Sequence, residues 1–358
     1  MAPEFTTNEQ IILAARRNLS QGEWDYLTGG SESETTMRRN RAAYDRIAFR
    51  PRILVDVSKL DVSTSFLGQH LRIPVLLAPI GSLQVFTPDA AVASVQAAHE
   101  FGVLPVISSV TEPRLEETAA ATEGAKVFQL YVRGDNDWVR DIIGRVKQAG
   151  YRALCLTVDL AVDSRRERPM VSNWVRPTRR SWFDPVYQAQ LTWEGMAWIK
   201  ELAGLPFILK GIATPEDAVL AVEHGVDVIW VSNHGGRQLD HGRGTLDMLP
   251  EIVEAVDGRA DIVVDGGIQR GSDIVKAIAL GARAVAIGKL QAWGLAAGGK
   301  DGLVRVLEVL ESEIVATMGL LGAPKLADLG QRFLVPAEPV TPPHEMSSWV
   351  NLPGDRLH

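Results

Sequence analysis

At 358 residues, with a net charge of −7 and basic residues scattered along its length, the chain lacks the clustered positive face that nucleic-acid binding needs. Hydrophobic side chains make up 46% of it without a long polar or low-complexity tract, so it can fill a large core and is not an extended disordered chain. No apolar run reaches the roughly 20 residues that span a bilayer, and the opening MAPEFTTNEQ is polar and acidic rather than a secretory leader, which predicts a cytoplasmic protein without membrane association.

Thr6 and Glu9 stand at capping-box spacing, and Ile11, Ile12, Ala15 and Leu19 then recur at helical spacing, so an amphipathic N-terminal helix is expected. A linker is read from there through Pro51. Short apolar runs follow: VLLAPIG from Val75, VLPVISS from Val103, VFQLY from Val127, ALCLTVD from Ala153, PFILKG from Pro206, DVIWVSNHG from Asp227, DIVVDGG from Asp261 and AVAIGK from Ala284. Each is continuously apolar, as strands buried on both faces are, and stretches such as 214–224 and 271–280 between them carry helical patterns. A repeating βα series fits an open doubly wound sheet as well as a barrel. With no Gly-x-Gly-x-x-Gly after the first run, closure is favoured, and one α/β domain over residues 1–358 is expected, a (β/α)8 TIM barrel.

The gap 160–205, after the fourth run, is far longer than its neighbours and holds Arg165, Arg166, Arg168, Arg176, Arg179 and Arg180. A long cationic loop after a barrel strand suits a lid over an anionic substrate, or a contact between subunits. The only cysteine, Cys155, lies in an apolar run and reads as a buried small hydrophobe, which leaves no disulfide or cysteine metal cluster, and no metal is expected. From Pro336 the sequence PAEPVTPPHEMSSWVNLPG is proline-rich and suits a tail that wraps a surface or a neighbouring subunit.

Polar residues end the runs: Gly81 and Ser82, Ser108, Gln129 and Tyr131, Thr157 and Asp159, Lys210, Ser232 to Asp240, Asp265 to Gly267, Gly288 and Lys289. In a barrel these ends converge on one face, and polar groups there need partners, so a ligand site is expected. Within Ser232-Asn233-His234-Gly235-Gly236-Arg237-Gln238-Leu239-Asp240, a potential base and a fixed cation lie three residues apart on a glycine-flexed loop. A carboxylate held by Arg237 could therefore present its α-carbon to His234.

That string resembles the signature of the FMN-dependent 2-hydroxy acid oxidases and dehydrogenases (glycolate oxidase, lactate oxidase, mandelate dehydrogenase). The resemblance extends through Asp25-Tyr26, Ala78-Pro79, Gln129-Leu130-Tyr131, Thr157-Val158-Asp159, Lys210-Gly211, Asp265-Gly266-Gly267 and Gly288. It implies FMN as cofactor and oxidation of an (S)-2-hydroxy acid to the 2-oxo acid, with the electrons passed to O2 or another acceptor, in a homo-oligomer such as a homotetramer. By the same resemblance His234 is the base and Asp159 its orienting partner, Arg237 and Tyr26 receive the substrate carboxylate, Tyr131 meets its hydroxyl, and Arg166 is a further loop cation at the substrate site. Lys210 is implied beside flavin N1 and O2, with Ser108, Gln129 and Thr157 on the isoalloxazine edge. Pro79, Ile80 and Gly81 run beside N5. Ser232, Asp265, Gly266, Gly267, Gln269, Gly288 and Lys289 complete the cofactor set toward the ribityl chain and phosphate.

The chain departs from the family pattern at several positions. Gln269 and Lys289 stand where arginines are usual, so FMN is expected to bind more weakly unless Arg270 compensates. Val110 stands where glycolate oxidase has tryptophan, which opens space for a larger side chain. Gly81 replaces the alanine common in the oxidases and resembles mandelate dehydrogenase and lactate monooxygenase, leaving the electron acceptor open. Thr87 replaces a common histidine. Two other readings stand beside the flavoenzyme: a phosphate-binding barrel using Lys210 as a Schiff-base lysine, and a non-catalytic barrel that acts by binding.

Overall fold

A computed structural model describes residues 5–177 and 185–340. Eight parallel strands, β1 (Val75–Leu77), β2 (Leu104–Ser108), β3 (Val127–Leu130), β4 (Ala153–Thr157), β5 (Phe207–Ile212), β6 (Val228–Val231), β7 (Asp261–Asp265) and β8 (Ala284–Ile287), close into a barrel in chain order. Seven lie within the apolar runs, and β5 extends one residue past its run, to Ile212. The runs are unbroken because the two strand faces bury different things. Leu76, Val106, Val127, Cys155, Ile208, Trp230, Val263 and Ala286 fill the lumen, while Leu77, Ile107, Phe128, Leu156, Leu209, Val231, Val264 and Ile287 pack under the outer helices. Cys155 is fully buried, and burial raises its thiol pKa, as its reading as a hydrophobe requires. A hairpin of Thr64–Phe66 and Gln69–Leu71 leads into β1, and its Phe66 and Leu71 join the lumen cluster, closing the barrel where the strands begin.

The alternation also fixes what happens at the other end. Ser108, Gln129, Thr157, Lys210, Ser232 and Asp265 each follow a lumen-facing residue by two positions, so each points into the barrel mouth. Helix signals between the strands are local. At 215–223, Thr214 accepts a hydrogen bond from the Asp217 N–H and Pro215 opens the first turn. The helix after β8, Lys289–Leu321, breaks at Gly298 and Gly299, whose backbone angles are non-helical.

Two expectations are corrected at the N-terminus. The first helix, α1 (Asn8–Asn18), is capped by Thr7 with Gln10, not by Thr6 with Glu9, because the Gln10 carboxamide accepts from both the Thr6 and Thr7 backbone N–H. The stretch read as a linker holds α2 (Gln21–Thr28), capped by Ser20 and Glu23, α3 (Thr35–Asp45), and a strand Ile47–Phe49 that pairs antiparallel with Leu334–Pro336. Pro336 is therefore tied to Ile47, while the rest of the tail from residue 341 lies outside the described residues. The long gap carries helices Glu167–Val171, Val186–Ala189 and Trp193–Ala203; Arg179 and Arg180 lie outside the described residues. No described helix is long and apolar enough to cross a membrane.

Candidate active site

The polar strand ends form a connected rim. Ser108 is in register with Gln129, whose Nε2 donates to Thr157 Oγ1 at 2.9 Å; Lys210 Nζ donates to Ser232 Oγ at 3.0 Å, and Ser232 donates to Asp265 at 2.9 Å. Trp230 Nε1 donates to the same aspartate at 3.0 Å. Lys210 lies 3.6 Å from Asp265 and 3.9 Å from Asp159. Burial opposes its charge, but these two carboxylates outweigh it and raise the amine's pKa, so it is a fixed cation. Gln129 Oε1 is fully buried and has no hydrogen-bond partner among the described residues, so it is an acceptor waiting for a ligand donor.

Above the rim, the chain leaves β6 through His234, Gly235 and Gly236, all at positive φ (59°, 66° and 75°), and this left-handed coil turns the imidazole over the mouth. The His234 N–H donates to Ser232 Oγ at 3.0 Å. Its Nδ1 is 2.8 Å from Asp159 Oδ1, which assigns the proton to Nδ1 and leaves Nε2 as the lone-pair nitrogen, 3.4 Å from the Tyr131 hydroxyl. Burial lowers the His234 pKa, Lys210 adds to that, and Asp159 opposes both without reversing the sign, so the ring is neutral near pH 7. Burial pushes the Asp159 carboxyl up, but His234 and Lys210 outweigh it and hold the pKa below its usual value. Tyr131 stays protonated, its pKa raised by burial. Gly211 (φ 118°) allows this packing, since a Cβ there would lie 2.8 Å from the Asp159 backbone nitrogen.

Two further cations face the same space. Arg237 donates to the carbonyls of Leu27 (3.2 Å) and Gly29 (2.7 Å) at the end of α2 and lies 5.2 Å over the Tyr26 ring, whose hydroxyl donates to the Gly81 carbonyl at 3.1 Å. Arg166 donates to the Arg237 carbonyl at 3.1 Å and to Ser164 Oγ at 3.2 Å. Burial and the neighbouring Arg237 push its pKa down to about 9, so it is still charged at neutral pH. Among the described residues neither guanidinium meets a carboxylate, and an anionic ligand would offset their desolvation.

The opposite end is built on glycine. Gly266 and Gly267 have φ of 93° and 80°, and a Cβ on Gly267 would come within 2.6 Å of the Asn40 carbonyl oxygen. Helix α3 clamps this turn: Arg41 donates to the Gly267 carbonyl (2.8 Å) and forks onto Asp273 (2.7 and 2.8 Å), while Asn40 and Asn233 exchange amide hydrogen bonds at 2.9 and 2.8 Å. Gln269 is buried, with its N–H on Asp273 at 3.0 Å. Lys289 Nζ reaches the Thr28 carbonyl at 2.8 Å. Arg270, the residue that could compensate, has its guanidinium paired with Glu313 at 2.7 Å, on the helix after β8, and is not among the residues lining the cavity.

One cavity is lined by Tyr26, Pro79, Ile80, Gly81, Tyr131, Arg166, Lys210, His234, Arg237, Asp265, Gly266, Gly267, Gln269, Gly288 and Lys289, so most of the residues named from the sequence do meet. Gln129, Thr157, Asp159 and Ser232 lie among their supports, and Ser108 borders the adjoining cavity. Sequence reasoning missed Asn40 and Arg41, which α3 brings to the floor, as well as Arg133, while Arg176, noted from the sequence in the long cationic loop, joins the same lining. It also missed Gln188, which bridges the Thr157 carbonyl and the Val132 N–H at 2.8 Å each. The Ser20-x-x-Glu23 box was a readable sign that the supposed linker folds.

Two arginines without carboxylate partners among the described residues at one end, a glycine floor at the other and a neutral imidazole between them suit a barrel enzyme with room for an acid and a larger cofactor. The family model of FMN-dependent dehydrogenases matches residues 15–183 and 172–336. An L-lactate oxidase of a Nostoc strain is 40% identical over 347 residues, 89% of this chain and 95% of the relative. A peroxisomal (S)-2-hydroxyacid oxidase of Arabidopsis thaliana is 38% identical, covering 88% and 92%. A solved mandelate oxidase variant carrying an FMN adduct superposes with a TM-score of 0.85 at 37% identity, covering 93% of this chain and 100% of that one. The chain belongs to the FMN-dependent 2-hydroxy acid oxidase and dehydrogenase family. It is an FMN-dependent oxidoreductase, and the orphaned Gln129 acceptor, the Lys210 cation and the glycine floor suit that cofactor.

Proposed function

We propose that the chain oxidises an (S)-2-hydroxy acid to the 2-oxo acid and passes the two electrons to O2, giving H2O2. The observation that carries this reading is the neutral His234, backed by Asp159 at 2.8 Å and facing Tyr131 in a cavity with two unbalanced arginines. Arg237 and Arg166 bind the substrate carboxylate, with Tyr26 beside them. Tyr131 holds the hydroxyl, and His234 Nε2 takes the proton the substrate loses while Asp159 stabilises the imidazolium. FMN, when bound, accepts the two electrons. Lys210 would supply positive charge to its electron-rich edge, and Ser108, Gln129 and Thr157 would hold that ring. Pro79, Ile80 and Gly81 would line its reactive side, and Ser232, Asp265, Gly266, Gly267, Gln269, Gly288 and Lys289 would receive its sugar-phosphate arm. A cytoplasmic homo-oligomer completes the reading, and light scattering on the purified protein tests its size.

An acceptor other than O2 is the second reading, favoured by Gly81, which lines the cavity and lacks the methyl common at that position in the oxidases. The test is anaerobic: His234→Ala should keep the flavin band but lose its bleaching by 2-hydroxy acids, and undiminished bleaching would remove His234 from the mechanism. Admitting air to bleached wild-type enzyme separates the acceptors, since recolouring within a turnover supports O2 and slow recolouring refutes it.

A further inference from the structure

Arg133 has no place in the reaction just described, yet it lines the active-site cavity. It follows Tyr131 by two residues at the exit of β3, and with Val110 it also lines the adjoining cavity, so these two side chains form the partition between the spaces. Val110 Cγ2 stands 2.8 Å from where a Gly81 Cβ would be, which places this partition beside the 79–81 segment.

The guanidinium is poorly satisfied. NH2 donates to the Ser109 carbonyl at 3.3 Å, the group stands 5.8 Å over the Trp138 ring, and Nε is buried with no hydrogen-bond partner among the described residues. Burial lowers the Arg133 pKa, and Glu112 offsets this only through space, without an ion pair among the described residues. The other cavity arginines are committed. Arg41 is held by Asp273, Arg176 pairs with Asp163 at 2.9 Å, and Arg166 and Arg237 together suit one carboxylate. Among the described arginines of the cavity, Arg133 is the one left over, at the partition with the adjoining space, whose Ser109 and Trp138 its guanidinium touches.

We propose that Arg133 receives a second carboxylate, so that the preferred substrate is a 2-hydroxy dicarboxylic acid whose distal group enters past Val110. This rests on the proposed oxidation of 2-hydroxy acids and specifies its substrate class. A half-buried, singly bonded guanidinium whose Nε is buried gains a charge-assisted, fork-shaped partner from such a group, whereas a methyl terminus leaves it unsatisfied.

The test uses the FMN-loaded full chain and anaerobic flavin reduction. (S)-Malic and (S)-2-hydroxyglutaric acids are compared with (S)-2-hydroxybutanoic and (S)-2-hydroxypentanoic acids, which match them in length with a methyl terminus. At least one diacid should exceed its partner in kcat/KM by about tenfold or more, mainly through KM. Arg133→Met should abolish that ratio and Arg133→Lys should keep part of it. Equal or better use of the monoacids by the wild-type chain, or a ratio unchanged in Arg133→Met, overturns the proposal while leaving the oxidation standing. Failure of every acid to bleach the flavin overturns the oxidation itself and this inference with it.

Discussion

Asparagine at position 159 would keep a polar group beside His234 Nδ1, now 2.8 Å from the aspartate, and remove its charge. The side chains of His234 and Asp159 are only 18% and 11% exposed, so solvent screens the pair little. Two unit charges about 4 Å apart at an effective dielectric near 20 interact by about 4 kcal/mol. The asparagine dipole recovers some of that, which leaves about 2–4 kcal/mol withdrawn from the imidazolium as it forms. Asp159→Asn should therefore slow anaerobic flavin reduction by about 30- to 1000-fold, read by stopped-flow at the flavin band, with the cofactor still bound. The pH dependence has a defined sign. His234 must be neutral to accept a proton, and Asp159 raises its pKa, against burial and Lys210, which lower it. Without the carboxylate the pKa falls further, so the acid limb of kcat/KM should move to lower pH as the maximum drops. A rate within about threefold of wild type, or a limb moved to higher pH, would refute the role of Asp159.

Gln269→Arg should tighten FMN binding by about tenfold, since it returns a charged fork to the buried position beside the Gly267 turn; fluorescence titration of the apoprotein with FMN measures it, and an unchanged or raised Kd counts against the reading. Gly267→Ala should lower both FMN retention and Tm, because φ of 80° strains a side-chain residue by about 1–3 kcal/mol and the new Cβ meets the Asn40 carbonyl at 2.6 Å. Arg41→Met leaves Asp273 charged and buried and should destabilise the fold by about 3–5 kcal/mol in denaturant melts, with Asp273→Asn restoring part of it in the double variant.

The barrel was legible because burial on both faces leaves an unbroken apolar run that flanking loops cannot imitate, and the strand-end polar residues stood out against it. The floor of the site was not. Helix α3, TTMRRNRAAYD, is polar, and its N-cap residue, Glu34, has φ of 60° and makes no side-chain capping hydrogen bond. Its stability comes from contacts far away in sequence, Arg41 with Asp273 and Asn40 with Asn233. No window of local sequence carries that information. The misplaced cap of α1 has a different cause, since the neighbouring pairs Thr6/Glu9 and Thr7/Gln10 both satisfy the box and the fold selects one. Loop cations such as Arg133 and Arg176 are equally opaque, because whether a guanidinium is balanced depends on which acid lies across the loop.

Lys210 shows why the strand-end pattern alone left two chemistries open. A lysine at the mouth of a barrel reads equally as a Schiff-base nucleophile or as a fixed charge, and its neighbours decide between them. A nucleophilic amine must lose its proton near neutral pH, which needs burial without nearby anions. Burial is present here, but Asp159 and Asp265 lie within 4.0 Å and raise the pKa instead of letting it fall. The amine stays protonated and cannot attack a carbonyl. The same arrangement sets one cation between two carboxylates and lets Asp159 serve His234 through Oδ1 while Oδ2 faces Lys210. An imine is therefore disfavoured by the electrostatics that make Lys210 suitable for stabilising a negatively charged ligand edge. Borohydride treatment in the presence of a 2-oxo acid should leave the mass of the chain unchanged, and a covalent adduct at Lys210 would contradict the charge assignment on which the rim depends.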